Sequence, residues 1–162
     1  MLIKHTMSAS QIREIVLASE NDTLNLGALF ARYISPPLII WLVGDLGSGK
    51  TTFTRGLLNA LGYHGAVKSP TYNIVETYPF NGFQLHHFDL YRFQSPEEWL
   101  DAGLDELINS DSIILIEWPQ LGGDLSPPAD IILNITSHGS SRTIQISATT
   151  ANGTHILDKI TE

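Results

Sequence analysis

The sequence predicts an α/β fold: a P-loop-type core with a mixed, mostly parallel central sheet flanked by helices and followed by C-terminal β-strands. Three observations predict it. Leu38-Ile39-Ile40-Trp41-Leu42-Val43 is an unbroken apolar run of strand length, the form of a strand covered on both faces. Directly after it, Gly44-Asp45-Leu46-Gly47-Ser48-Gly49-Lys50-Thr51 fits G-x-x-x-x-G-K-T. Residues 52–61 then carry Phe53, Leu57, Ala60 and Leu61 at helical spacing. Strand, glycine loop and helix in that order make a phosphate-binding unit. Glycines let successive backbone N–H groups converge on one anion, and the helix N-terminus adds its partial positive charge.

The other elements follow in order. Residues 1–12 receive no assignment, and Ile12 to Leu17 has the rhythm of a short strand or a helical turn. Ser19-Glu20-Asn21-Asp22 starts a helix, with Ser19 as cap and an acid at the third position. Ser35-Pro36-Pro37 closes that helix and feeds the strand 38–43. Gly62 to Lys68 is a loop leading into Ser69-Pro70-Thr71-Tyr72. Asn73 to Tyr78 and Phe83 to Phe88 are partner strands around an Asn81-Gly82 turn, and this hairpin makes the sheet mixed. Ser95-Pro96-Glu97-Glu98 opens another helix that ends near Gly103, and Leu104 to Ile108 adds a short one. Ser112 to Ile116 is a second apolar strand ending in Glu117-Trp118-Pro119, followed by a polar loop. The tail reads as strands at 131–136, 143–147 and 155–160, with turns at 138–141 and at Asn152-Gly153.

At 162 residues and 43% hydrophobic content, the chain suits one domain over 1–162 with an ordinary core. The longest apolar run, at 38–43, is far short of a membrane span, and Met1-Leu2-Ile3-Lys4-His5 lacks a signal peptide's apolar segment. With no cysteine there is no disulfide scaffold or thiolate metal site, so a cytoplasmic enzyme is expected. The net charge is −8, and the nine Lys and Arg residues are scattered singly. Strong direct binding to a nucleic-acid backbone needs a basic face, so any such role is expected to run through a partner.

The chemistry is sought around the loop. Lys50 is expected to reach the β- and γ-phosphates of a nucleoside triphosphate and the Thr51 hydroxyl to bind Mg²⁺. A second Mg²⁺ holder usually ends an apolar strand beside the loop. Glu117 has that form and is assigned to the metal, directly or through water. Asp89, ending a weaker run interrupted by His86 and His87, is the candidate that positions or activates the attacking water. Thr71 is a candidate γ-phosphate sensor, and Lys68, Arg55 and Arg92 are candidate phosphate contacts. His86 and His87 alternate in a strand, so one is expected inside and one outside. No Asn-Lys pair occurs, which removes the guanine clamp of GTPases and favours ATP.

The chain resembles the TsaE (YjeE) family of bacterial P-loop ATPases. The resemblance rests on Gly44 to Phe53, Val67-Lys68-Ser69-Pro70-Thr71-Tyr72, His87-Phe88-Asp89-Leu90-Tyr91-Arg92 and Glu117-Trp118-Pro119, and covers residues 19–120. It implies a weak, partner-dependent ATPase that serves formation of threonylcarbamoyladenosine in tRNA. The implied partner is a threonylcarbamoyl transferase heterodimer of TsaB and TsaD type, with tRNA engaged only indirectly and no membrane. It implies ATP and Mg²⁺ as ligands, with Leu46, Gly47, Ser48, Gly49, Lys50, Thr51 and the following Thr52 around the phosphates. Thr51 and Glu117 would bind Mg²⁺, Asp89 would be essential for hydrolysis, and Thr71 would lie in the nucleotide-sensing loop. Glu20, Thr23 and Arg142 would lie by the adenine, although Ser140-Ser141 stands where the family more usually has a glycine. The competing reading is a small-molecule or nucleotide kinase on the same core. Kinases commonly clamp both substrates with several arginines, and residues 118–141 contain no lysine or arginine. A third reading is a nucleotide-dependent switch with negligible catalysis.

Overall fold

The structure is a computed structural model that describes residues 2–5 and 11–162. Of the unassigned first dozen residues, residue 1 and residues 6–10 lie outside that description. Among the described residues one sheet runs through the molecule, built from β1 (Leu2–His5), β2 (Ile12–Leu17), β3 (Leu38–Val43), β4 (Val75–Phe80), β5 (Phe83–Asp89), β6 (Ser112–Glu117), β7 (Ile131–His138) and β8 (Ser141–Ala148). Their spatial order is β1-β2-β8-β7-β3-β6-β5-β4. The centre is parallel, with β3 between β7 and β6 and β5 beyond β6. Antiparallel strands extend it on both sides: β8, β2 and β1 beyond β7, and β4 beyond β5. The sheet is thus mixed, as expected, and Ile12 to Leu17 resolves as a strand.

Helices α1 (Glu20–Ala31), α2 (Lys50–Ala60), α3 (Glu98–Asp101) and α4 (Ala151–Ile160) complete the fold. Leu26 and Phe30 of α1, Phe53 and Leu57 of α2, and Ile156 and Leu157 of α4 share one core with Leu85, Ile113 and Leu115 of the sheet. Phe88, Ile114 and Ile116 face the opposite way, into a second core with Leu90, Trp99 and Leu104. Alternate residues of β6 therefore enter different cores. That is why the strand is apolar at successive positions instead of alternating.

Helices α1 and α2 approach backbone to backbone. A Cβ on Gly27 would lie 2.3 Å from the Phe53 carbonyl oxygen, and one on Gly56 would lie 2.2 Å from that of Leu24. Ser19 caps α1 by accepting from the Asp22 N–H at 3.2 Å. Glu98 accepts from the Ser95 N–H at 3.1 Å, so its side chain folds back over the turn that leads into α3. The Asn81-Gly82 turn joins β4 to β5, with Phe80 opposite Phe83 and Gly82 at φ 89°.

Three expectations are corrected. Residues 155–160 form the end of helix α4, not a strand. Thr150 caps this helix by accepting from the Gly153 N–H at 3.1 Å, and Ile156, Leu157 and Ile160 form its buried stripe. Asn152-Gly153 is therefore no hairpin turn. Any Cβ at 153 would sit 2.1 Å from the Asp130 carbonyl oxygen, so the glycine lets the helix lie against the chain. His86 and His87 do alternate, but both are buried, because β5 is covered on both faces. The polar loop after Trp118 contains a 3₁₀ run over Pro119–Leu125, interrupted at Gly123. Among the described residues no helix is long and apolar enough to cross a membrane.

Candidate functional site

The glycine loop leaves β3 and enters α2 at the C-terminal edge of the parallel strands, where open α/β sheets form their crevice. Gly47 and Gly49 have φ of 76° and 112°, the left-handed region that glycine enters without a steric penalty. The first bond of the helical ladder runs from the Phe53 N–H to the Gly49 carbonyl at 2.9 Å. The amides of Lys50, Thr51 and Thr52 therefore precede the ladder and are the donors a helix start offers to an anion. The Ser48 hydroxyl is buried without a hydrogen-bond partner among the described residues.

Lys50 is 5% exposed. Its ammonium donates to the carbonyl oxygens of Gly44 and, at 3.1 Å, Asp45. It lies 4.0 Å from Glu117 Oε1 and 5.1 Å from the centre of the Trp118 ring. Burial pushes its pKa below the usual lysine value, against the opposing pull of the Glu117, Asp89 and Asp45 carboxylates. Inside this site the ammonium is poorly hydrated, which strengthens its attraction for an incoming anion.

Asp89 ends β5 and Glu117 ends β6, and the two are register partners. Each is 3% exposed, and each is held differently. Asp89 Oδ2 accepts from the Ser69 hydroxyl at 3.1 Å and from the Thr71 hydroxyl at 2.9 Å, while Oδ1 accepts from the Tyr91 N–H at 2.9 Å. Glu117 Oε2 pairs with His87 Nε2 at 2.6 Å, leaving Oε1 toward Lys50. Arg142, on β8, reaches across to the loop. Its Nε donates to the Ser48 carbonyl at 2.7 Å and its Nη2 to that of Gly47 at 3.3 Å.

These groups line one cavity of about 480 Å³. Its walls include Glu20 and Thr23 from α1, Leu46 to Thr52 from the loop and α2, Thr71, Asp89, Glu117 and Arg142. The structure thus brings together Lys50, Thr71, Asp89, Glu117, Arg142, Glu20, Thr23 and the loop residues Leu46 to Thr52, with Ser69 beside Thr71 and Ser140 in addition, but not the three candidate phosphate contacts. Arg55 and Arg92 do not line it. Arg55 pairs with Glu20 at 3.8 Å, and Arg92 stacks over Tyr72 at 4.1 Å. Lys68 lines a separate depression beside Tyr63 and Tyr78. Sequence reasoning missed the His87–Glu117 contact, since it treated the strand-end acids without their neighbours. A histidine two residues before Asp89, on the same face of β5, was the available signal.

Comparison with known proteins agrees with this architecture. The sequence model of the family described as "Threonylcarbamoyl adenosine biosynthesis protein TsaE" matches residues 17–144. A Haemophilus influenzae protein named tRNA threonylcarbamoyladenosine biosynthesis protein TsaE is 42% identical over 146 residues, covering 87% of this chain and 92% of that protein. A Rickettsia felis protein of the same name is 34% identical over 145 residues, covering 89% and 84%. The crystal structure of Bacillus subtilis YdiB superposes with a TM-score of 0.78 at 25% identity, covering 99% of this chain and 97% of that one. A family match across the loop, both strand-end acids and Arg142, joined to this identity over most of the chain, establishes that the protein belongs to the TsaE family.

Proposed function

We propose that this protein is a Mg²⁺-dependent ATPase that serves tRNA threonylcarbamoyladenosine biosynthesis, its ATP turnover supporting a threonylcarbamoyl transferase heterodimer of TsaB and TsaD type. The observation that carries this reading is the meeting of a glycine loop, a buried lysine and two strand-end carboxylates in one cavity. The family membership supplies the biosynthetic context.

The residues fit a triphosphate. The amides of Lys50, Thr51 and Thr52, ahead of the helical ladder, are the donors a helix start offers an anion, and Lys50 supplies a dehydrated cation. They also fit Mg²⁺. Among the described residues no group of three or more His, Cys, Asp or Glu side chains is arranged to hold a metal ion. Mg²⁺ characteristically takes only one or two protein oxygens and fills its shell with water and phosphate, and Thr51 and Glu117 are the oxygens that would hold it. When bound, the ion offsets charge building on the β- and γ-phosphates.

The chain's own residues do the rest. Loop amides fix the phosphate tail and bear the negative charge that grows in the transition state. Lys50 exchanges its carbonyl contacts for phosphate oxygens. Asp89 is locked by two hydroxyls and one amide, so it presents an oriented acceptor for a proton of the attacking water. Ser69 and Thr71 link that acceptor to the loop preceding β4, so rearrangement of the loop would disturb Asp89. Arg142, already bound to backbone carbonyls, is the arginine lining the cavity, which offers a kinase no two-substrate clamp.

The test is ATP hydrolysis with and without the transferase heterodimer and tRNA, on the wild type and Lys50→Ala. Slow hydrolysis by the protein alone, acceleration by the heterodimer and loss of both in the variant are expected. Fast turnover that the heterodimer leaves unchanged, or a phosphorylated metabolite as product, would defeat the reading.

A further inference from the structure

We propose that His87 is a positioning residue: its imidazole holds one oxygen of Glu117 so that the other stays aimed into the cavity. The inference rests on the preceding reading that Glu117 serves Mg²⁺. It adds the residue that makes that carboxylate usable.

The ring of His87 is fully buried on β5, and its Nε2 lies 2.6 Å from Glu117 Oε2. A carboxylate only accepts hydrogen bonds, so Nε2 carries the proton and donates. The opposite nitrogen, Nδ1, is buried and has no hydrogen-bond partner among the described residues. For packing alone this is a poor choice. Leu115 is the register partner of His87, Leu85 lies two residues before it on the same strand, and both belong to the apolar core on that face. An aliphatic side chain would fill such a layer without stranding a polar atom. The polar ring is explained by what its other nitrogen does.

Glu117 would otherwise have a competing partner. Its Oε1 already lies 4.0 Å from the Lys50 ammonium in a buried setting, where opposite charges attract strongly. A freely rotating carboxylate would close onto that ammonium and occupy both the cation meant for phosphate and the oxygens meant for the metal. By holding Oε2, His87 keeps the ion pair open and one carboxylate oxygen uncommitted. Partners that orient a ligating carboxylate typically matter roughly 10–100-fold in metal affinity.

The test separates this role from mere packing. Binding of a fluorescent N-methylanthraniloyl-ATP is measured on the full-length protein in excess MgCl₂ and in EDTA, so the readout is the Mg²⁺-dependent gain in affinity. In His87→Leu that gain should shrink by at least tenfold, beyond whatever affinity is lost in EDTA as Glu117 closes on Lys50. His87→Gln, whose side-chain amide nitrogen can take the place of Nε2, should restore most of it. His87→Asn, whose amide falls at the Nδ1 position, should not. If His87→Leu fails to fold, the Gln and Asn pair decides alone. A wild-type gain in the Leu or Asn variant, or equal losses in MgCl₂ and EDTA, would overturn the inference. So would a folded Gln variant as poor as the Asn variant. Glu117→Gln is the reference: if that variant keeps the full gain, it is the metal assignment of Glu117 that fails.

Discussion

Asp89 and Glu117 are register partners on adjacent parallel strands, so two buried carboxylates stand side by side at the sheet edge that carries the glycine loop. Their surroundings divide their labour. Asp89 is surrounded by hydroxyl and amide donors, which fix direction without supplying a full opposing charge. Glu117 stands between the His87 imidazole and the Lys50 ammonium.

Replacing Asp89 by Asn should therefore separate binding from chemistry. The shape is kept, but the amide presents one acceptor oxygen instead of two. Affinity for ATP should stay within about threefold, while the single-turnover hydrolysis rate falls by about 10²-fold or more, the usual range for losing a positioned acid–base group. Rapid-quench measurement with saturating enzyme checks this, and an unchanged hydrolysis rate would remove Asp89 from the mechanism.

Arg142 donates to carbonyl oxygens of Ser48 and Gly47 in the loop and of Gly139 and Ser141 in its own hairpin. One guanidinium thus pins two successive loop carbonyls. A lysine has one compact head and cannot bridge these acceptors. Arg142→Lys should weaken ATP binding about tenfold, equivalent to roughly 1.4 kcal/mol, as read by calorimetric titration. Wild-type affinity in the lysine variant would show that the fork is not needed.

The α1–α2 contact admits no side chain at its two glycines. Gly27→Ala and Gly56→Ala should each lower stability by about 1–3 kcal/mol in urea unfolding, because backbone must move to make room. The better helix propensity of alanine, worth about 1 kcal/mol, offsets only part of that. Either variant matching wild type would mean that the helices separate easily.

His86 is buried with its Nδ1 2.8 Å from the Thr77 hydroxyl, and burial lowers its pKa from the usual 6.5. The unfolded chain therefore takes up this proton first on acidification. The His86 contribution to stability is complete above about pH 6.5 and is lost as pH falls from there through the lowered folded value. His86→Gln should be less stable than wild type at about pH 7.5, yet lose less further stability between there and about pH 5.5. Equal losses in the two proteins, followed by urea unfolding, would rule out this histidine as a source of the acid sensitivity.

Much of the site was legible because its chemistry is local in the chain. Phosphate binding needs a strand, a glycine turn and a helix start in succession, the pattern that Leu38 to Thr51 carries within fourteen positions. Asp89 and Glu117 could be picked out because each closes a strand, and parallel strands end together. Helix α4 was not legible. Asn152-Gly153 imitates a hairpin turn, and only the Asp130 backbone lying against Gly153 reveals why a glycine stands there.

By itself the amino-acid order determined that a glycine loop of the form G-x-x-x-x-G-K-T joins a strand to a helix, which residues form it, and which acids end the strands beside it. Those properties depend on backbone conformation and periodicity over a few neighbouring residues. Glu20, Thr23 and Arg142 were expected at the site through the family resemblance and not from their own pattern; tertiary structure alone decided that Arg142 grips the loop carbonyls and that His87 holds Glu117. Those contacts depend on strand order and register. The placing of β8 beyond β7 and of β5 beside β6 follows from how the whole sheet buries both its faces.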